Sequence, residues 1–558
     1  MKKKYLVFLI LITFSFNSYS QMTTSEDYSY EVSKPYEVID GNKQYFVHQD
    51  KMISIKLEKK SFNIQQFDIN SLNELIRTEY DSREILPDNY HPEGTKQLKD
   101  KIYFFYSSWS GRKTQHERLY YLTIDVNTAK ITGDPVQIVD IEGKLAGSFL
   151  TMVSVMGIPI SNRTVDKFDI LTSQDSSKIL VQYRKKPEVK RDTKSHDIIG
   201  VSVFNSDMTP IWDKEFKMPY TERRMDLLDF AIDNEGDGYM LAKVFKDDSN
   251  EDKKKKRDET ANYHIELFRL QQGQSDIAKT KIELNNIFIN GITLFESATN
   301  QLFCAGYYNK GLLKGNFISK KQNKSSADGI VIIKLSKEGD ILKTYTQEIP
   351  LEVINMYISD RAKEKNKKKE EDDDDGAELQ NMRLRDLIIH DDGGLTMVGE
   401  QYFIKEHHTT KSTYYTYHYY NILITKINAD GSLAWMNKIP KKQIGRKGQG
   451  GMSYTYLSTP GNHYLLFLDN VKNMELAKNE FPSKHSDGKG GYFTSYKIND
   501  TSGEVTRGSV FDTRNLTEDF NAHQFSTNRV KKISDSEFII EVYKKKKEDV
   551  LVKISVKY

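Results

Sequence analysis

The sequence predicts an all-β fold, a single β-propeller of four-stranded antiparallel blades, eight in number, with its long loops gathered on one face. Three observations carry this reading. A short hairpin signature recurs along the chain, a second strand-turn-strand signature follows it, and the pair repeats with a period of roughly 60 residues. Composition agrees: 33 Tyr and 27 Phe against 12 Pro favour strands over helices.

The N-terminus is read first, because it sets the compartment. Lys2, Lys3 and Lys4 precede an apolar run from Tyr5 to Phe16 that ends in Ser18-Tyr19-Ser20, the pattern of a secretory signal peptide over residues 1–20. The run is about a dozen residues, short of the roughly 20 that span a bilayer. Cleavage before Gln21 is therefore expected, leaving residues 21–558 as one propeller domain with no transmembrane segment. The residue immediately after the cleavage point is Gln21 and not cysteine, so the residue that a bacterial lipoprotein signal modifies is missing. The expected address is export: periplasmic, outer-membrane-associated or extracellular.

The one cysteine, Cys304, lies in the apolar run Gln301 to Gly306 and reads as a buried small hydrophobe. An exported chain without a disulfide must rest on a large core, which this length can supply. The formal charge is +3, and the three lysines of the leader account for the excess. A balanced mature chain excludes nucleic acid as the expected partner.

The hairpin signature is clearest where Ile232-Asp233-Asn234-Glu235-Gly236-Asp237-Gly238-Tyr239-Met240-Leu241 resembles Ile389-His390-Asp391-Asp392-Gly393-Gly394-Leu395-Thr396-Met397-Val398. Both read as strand, tight turn, strand. Weaker copies fall at Val38 to Val47, Gln97 to Phe105, Leu171 to Val181, Leu294 to Cys304, Leu457 to Phe467 and Ile533 to Ile540. The second signature, Ile424 to Trp435, aligns without gaps on Val201 to Trp212 and Ile332 to Lys343, with looser copies at Leu122 to Val136 and Tyr496 to Val510. The blades then run approximately 35–70, 84–142, 166–218, 226–284, 290–350, 384–440, 452–511 and 528–558. The last unit lacks room for a fourth strand, which residues 27–33 can supply, closing the ring without a free edge. Seven blades is the alternative count, because the first two units are the least regular.

An Asp-Gly turn followed by Trp, as in Asp430-Gly431 before Trp435, resembles the blade repeats of secreted bacterial β-propellers. The resemblance spans most of the mature chain and implies the fold. It implies no activity, and copies with Lys343 or Arg507 at the Trp position depart from the pattern.

Strand direction alternates in a meander, so first-to-second and third-to-fourth turns share one end of each blade while the remaining connections share the other. The long connections are 107–117, 184–197, 246–262, 309–328, 402–420 and 469–491 between second and third strands, and 71–94, 143–165, 351–383 and 441–451 between blades. Almost every insertion thus falls on one face, the face where loops on a rigid scaffold carry function. Ser71-Leu72-Asn73-Glu74 reads as a capping box opening a short helix to about Tyr80. Lys253 to Arg257 and Lys363 to Asp375 read as solvated, mobile charge runs. Residues 145–160 are apolar enough to need burial against the ring, a partner or a lipid surface. The stretch Tyr402 to Tyr420 supplies the candidate binding residues Tyr402, His407, His408, Tyr414, Tyr415, Tyr417 and His418. As a loop it offers an aromatic and imidazole surface for sugar stacking or a protein interface; as a long hairpin, alternate tyrosines pack.

Catalytic motifs fail on inspection. Asp233 to Gly238 lacks the bidentate Glu of a calcium loop, since the twelfth position is Val244. His116-Glu117 lacks a second histidine at Tyr120, and Gly451-Met452-Ser453-Tyr454-Thr455 lacks the final glycine of a nucleophile elbow. The glycines Gly445 to Gly451 precede a strand, whereas phosphate loops open helices. His407 and His408 would need ligands from other loops to hold a metal. No cofactor, metal or catalytic residue is therefore assigned. The expected function is that of a monomeric binding module for a protein or glycan; the alternative is a hydrolase or lyase with its site at the mouth of the central channel, on the same face. Deleting Arg361 to Gly376 should leave the melting temperature nearly unchanged, and a large drop would show the run to be packed.

Overall fold

Each Gly-, Asp- or Asn-marked turn folds a strand back on its predecessor, and eight four-stranded antiparallel sheets follow one another along the chain as the blades of a β-propeller. The structure is a computed structural model that describes residues 26–39, 43–58, 60–147, 166–186, 194–252, 260–274, 276–284, 287–297, 301–310, 326–371, 377–410, 412–446, 452–486, 490–514, 516, 524–545 and 547–557. Residues 1–25, expected to include a signal peptide, the Lys253 to Arg257 run and most of the apolar insertion 145–160 lie outside the described residues.

Strands are labelled a to d within each blade. Blade 1 contains Gln44–His48, Lys51–Leu57, Ser61–Asp68 and Glu74–Asp81. Blade 2 contains Tyr90–Leu98, Lys101–Trp109, His116–Asp125 and Lys130–Glu142. Blade 3 contains Phe168–Thr172, Lys178–Arg184, His196–Asn205 and Pro210–Thr221. Blade 4 contains Met225–Ile232, Gly238–Phe245, Tyr263–Leu270 and Ala278–Ile282. Blade 5 contains Phe288–Glu296, Leu302–Asn309, Gly329–Leu335 and Ile341–Glu348. Blade 6 contains Met382–Ile389, Leu395–His408, Thr413–Ile427 and Leu433–Ile439. Blade 7 contains Thr455–Thr459, Asn462–Asp469, Tyr492–Asn499 and Val505–Asp512. Blade 8 takes Gln524–Lys532, Glu537–Lys545 and Glu548–Val556 from the C-terminus and Tyr28–Val32 from the N-terminus.

The a strands of neighbouring blades touch one another and form the inner wall. Strands b and c are covered by a blade on each side, so they read as continuous apolar runs, as in the fully buried Leu302–Asn309. The d strands lie outermost, and Ile341–Glu348 is largely exposed. The core is thus a series of layers between blades. Met225, Phe230 and Met240 of blade 4 pack on Val201, Trp212 and Phe216 of blade 3, for example.

Tryptophans on d strands tie one blade to the next. The Trp212 indole donates to the Gly236 carbonyl of blade 4 at 3.0 Å, and the Trp435 indole to the Asp500 carbonyl of blade 7 at 2.9 Å. Gly503 sits against the second ring at a φ of +69°, where an added Cβ would come within 2.6 Å of Trp435. Within the blade 4 hairpin, Asp233 Oδ1 accepts the amides of Glu235, Gly236 and Asp237, so this carboxylate organises a tight turn.

Ring closure joins the two ends of the chain. Residues 28–32 pair antiparallel with 552–556, and Tyr36–Glu37 pairs with Glu548 and Asp549. Beneath this seam Lys43 Nζ lies 2.8 Å from Glu541 Oε2 and 3.1 Å from Asp549 Oδ2, all three side chains fully buried. The Tyr36 and Tyr45 hydroxyls donate to Glu541 at 2.7 and 2.6 Å, and Arg529 reaches it at 3.2 Å. Burial pushes the Glu541 carboxyl up, but Lys43 and Arg529 outweigh it and hold the group below its ordinary range. Asp549 is pushed up to about 6 by burial and by the neighbouring Glu541.

Three expectations need correction. The capping box at Ser71 opens no helix: Glu74–Asp81 is the d strand of blade 1, pairing with 61–67, and only Ser82–Ile85 is helical. Ile76, Thr78 and Tyr80 alternate with the more exposed Leu75, Arg77 and Glu79, so the period is two and the sheet's need for a fourth strand decides. The first hairpin turns at Gln49 and Asp50 rather than within Val38 to Val47, which shifts blade 1 to residues 44–81. The second charge run is helical over Asp360–Glu371 with no buried residue. Its Lys and Glu are good helix formers, and Lys363–Asp360 and Lys367–Glu371 pair one turn apart. Among the described residues no helix is long and apolar enough to cross a membrane.

Removing one partner of the closure cluster strands the others in the core. Lys43→Met should lower the unfolding free energy by about 3–5 kcal/mol, measured by urea denaturation. A loss of less than roughly 1 kcal/mol would show that the buried carboxylates do not depend on Lys43.

Candidate functional site

The long stretch between strands b and c of blade 6 is a hairpin extension. Strands Leu395–His408 and Thr413–Ile427 stay paired to their ends, with a bulge at Gln401, whereas the d strand pairs only with residues 422–427. The base of the extension gains further strands. Residues 443–445 pair antiparallel with 417–419, and 485–486 lie parallel to 443–444, so the connection to blade 7 and the blade 7 insertion brace the hairpin. Beyond residue 417 toward the tip, the described residues contribute no third strand.

The pleat sorts the candidate residues by face. On one face Tyr402, Tyr417 and Tyr419 are buried together with Ile404 and Met452. On the other, Phe403 stacks on His418 at 4.4 Å and His407 on Tyr414 at 4.8 Å, while the Arg446 guanidinium lies 4.6 Å from the Tyr414 ring. A hydrogen-bonded ladder runs along this face: His407 Nε2 to Thr416 Oγ1 at 2.8 Å, Thr416 to His418 Nε2 at 2.9 Å, and His418 Nδ1 to the Tyr420 hydroxyl at 3.2 Å. Burial, with Lys405, His407 and Lys484 nearby, pushes His418 down to about 4.

Of the seven residues singled out by sequence, Tyr402, Tyr417 and His418 are therefore interior to the hairpin. His407 and Tyr414 form a half-buried stack. Tyr415, 43% exposed, and His408, with 71% of its side chain exposed, stand at the tip. Tyr415 donates to Glu406 across the strands at 3.1 Å. The structure unites all seven on one element, but presents to solvent only the tip residues and the stack.

Beneath the hairpin lies a polar cluster. Glu400 accepts from Lys441 Nζ at 2.7 Å and from Ser453 Oγ at 2.9 Å, and Arg385 Nη2 donates to the same serine at 2.9 Å. Lys441 and Glu400 are fully buried, so the ion pair acts as a foundation. Two buried carboxyls, each on an a strand, serve similar ends. Burial pushes Glu93 up to about 7, opposed by its bond from Ser107, and it accepts the amides of Lys167 and Phe168 from blade 3. Asp229 is pushed up to about 7 by burial and accepts the Leu294 amide of blade 5.

Among the described residues, two groups bring three potential metal donors within 4.8 Å of one another: His390, His463 and Asp500, and His91, Glu93 and Asp166. In the first, His463 already bonds Asp500 and the Tyr456 hydroxyl at 2.8 and 2.7 Å. Neither group was visible in the sequence, since its members come from different blades or are separated by a long insertion. His407 and His408 belong to neither.

No protein-family profile matches the chain, and no curated protein matches it. Among solved structures it is similar to a prolyl endopeptidase, at 10% identity and a TM-score of 0.38, over 93% of this chain and 55% of that one. It is similar to the WD40 domain of SCAP from fission yeast at 8% and 0.36, over 96% and 99% of the two chains. It is also similar to the polysaccharide lyase Uly1 at 9% and 0.37, over 92% and 89%. The chain thus spans little more than half the length of the peptidase. The propeller assignment rests on the strand order, and likeness at this level carries nothing about reaction or partner.

His418 should stay neutral through most of the acid range. Because its folded pKa is depressed, the unfolded chain takes up the proton first, so hairpin stability should be complete above about pH 6.5 and decline toward pH 4. An NMR titration of the His418 ring should give a midpoint near 4. A midpoint in the ordinary range would mean that the ring is solvated.

Proposed function

We propose that this protein is an exported, non-enzymatic binding module that engages a protein or glycan through its insertion-rich face, with the blade 6 hairpin tip as the contact. The observation that carries this reading is the exposed tip itself: the His407–Tyr414 stack on one face of the pleat and Tyr415 with His408 on the other, on a hairpin whose base is braced by two further strands. Aromatic and imidazole rings on a rigid support bury large area at little conformational cost. The foundation ion pair of Glu400 and Lys441 supports such rigidity. Export is supported by the basic and apolar leader pattern of residues 2–20, and the balanced charge of the remainder favours contacts other than with nucleic acid.

The test compares the full chain with a variant carrying His408→Ser, Tyr414→Ser and Tyr415→Ser, which spares the interior tyrosines. Capture from envelope fractions and binding to immobilised glycans should both fall to background in the variant, with an unchanged circular dichroism spectrum. Equal capture by a folded variant would remove the tip from the reading.

A further inference from the structure

A cavity of about 590 Å³ opens on the flank of the ring between blades 6 and 7. Its wall is the outer part of these blades, through Asn437 and Lys438 of the blade 6 d strand and Tyr496 and Arg507 of blade 7. Its lid comes from two insertions: residues 351–357 ahead of blade 6, which include the helical turn Leu351–Ile354, and the blade 7 insertion with the single turn Val471–Glu475. The lid is stitched together. The Tyr357 amide donates to the Lys478 carbonyl at 2.7 Å, and Arg507 bonds the Asn473 carbonyl. Tyr357 holds a φ of +56°, a left-handed conformation that a bulky residue keeps only when its surroundings enforce it.

The charges in this cavity are unbalanced. Lys438, Arg507 and Lys478 line it against one carboxylate, Glu504. Four lysines are buried among the described residues: Lys43, Lys56, Lys438 and Lys441. Three have a carboxylate partner, namely Glu541 with Asp549, Glu58, and Glu400. Lys438 has none. Its ammonium, on a residue 3% exposed, donates to one acceptor, the Ile354 carbonyl at 2.6 Å, and burial pushes the group down to about 7. A buried cation without a counter-ion is costly, and the cost is relieved either by loss of its proton or by an anion; a place in the wall of a cavity gives an anion access to Lys438. Arg507 bonds through Nη1 alone, to the Asn473 carbonyl and the Tyr496 hydroxyl, which leaves Nε and Nη2 for a bidentate contact.

We propose that this cavity is a binding site for a small organic anion, its acidic group held by Lys438 and Arg507 and its body lying against Tyr357, Met356 and Met474. The volume falls within the range of small-ligand sites, and the lining is mixed: the polar and charged Asn437, Lys438, Lys478, Ser502, Glu504 and Arg507 stand beside aromatic and thioether side chains. Carboxylate and phosphate share the chemistry that these two cations recognise. The site is distinct from the hairpin tip and does not rest on the function proposed for it.

The test is calorimetric titration of the full chain with digalacturonate, with glucose 6-phosphate and with neutral cellobiose. At least one of the two anions should bind saturably with a Kd below about 1 mM and raise the melting temperature, and cellobiose should not bind. Lys438→Met and, separately, Arg507→Gln should each weaken that binding by about 10-fold or more. The hairpin-tip variant should bind the anion as the wild type does. Binding of digalacturonate alone identifies a carboxylate ligand and of glucose 6-phosphate alone a phosphate ligand; both uphold the site. Absence of binding by either anion, equal binding of cellobiose, or undiminished binding by a folded Arg507→Gln protein would overturn it. Should Lys438→Met fail to fold, the wall residue Arg507 and the thermal shift of the wild type decide the question.

Discussion

Ring closure is the constraint on which the remaining architecture depends. A blade buries its b and c strands only because another blade covers each face, and eight blades in a circle leave none uncovered only if the last meets the first. Here that meeting is made by Tyr28–Val32 on the C-terminal strand and by a buried cluster in which Lys43 serves two carboxylates at once. The seam joins residues some 500 positions apart in the chain (the Leu551 amide donates to Ser33 Oγ across a separation of 518), so forming it carries the closure entropy of nearly the whole chain. Once it forms, each apolar layer between blades is enclosed, and the unpaired strand edges face outward on exposed d strands.

A closed ring also governs where polar groups can sit. Between blades a polar group must find its partner in the protein, so a buried carboxylate there is met by a cation, a hydroxyl or a backbone amide from another element. Glu541, Glu400, Glu93 and Asp229 all follow this rule, and all four join segments that are distant in sequence. They are cross-links as much as charges. Lys438 is the informative departure, since its ammonium meets a backbone acceptor and no carboxylate pairs with it among the described residues.

Hairpin and cavity are built from neighbouring pieces of the same region. The blade 7 insertion contributes residues 485–486 to the sheet that braces the hairpin and Met474 and Lys478 to the cavity. Among the described residues, the insertions of blades 6 and 7 are thus packed on one another. The repeats supply rigidity, and the connections on one face supply shape.

How much of this was legible follows from what each feature depends on. Hairpins such as Ile232 to Leu241 depend on a local turn whose Asp and Gly are neighbours in the chain, and the side-chain alternation that orients each strand is equally local. From these the repeat, its period and the phase of the insertions could be read. Where a local signal and the sheet disagreed, the sheet prevailed: Ser71 to Glu74 spells a helix start, yet residues 74–81 become a strand because blade 1 needs a fourth. The seven aromatic and imidazole residues of 402–418 were visible as a group, but which of them face solvent depended on the pleat and on the strands added at 443–445 and 485–486. The sequence by itself determined the all-β repeat and the place of its insertions, because those are written in nearest-neighbour patterns. Only the tertiary structure decided that Lys438 lacks a counter-charge while Lys43 and Lys441 have theirs, because a buried group's partners come from whatever blade the closed ring brings beside it.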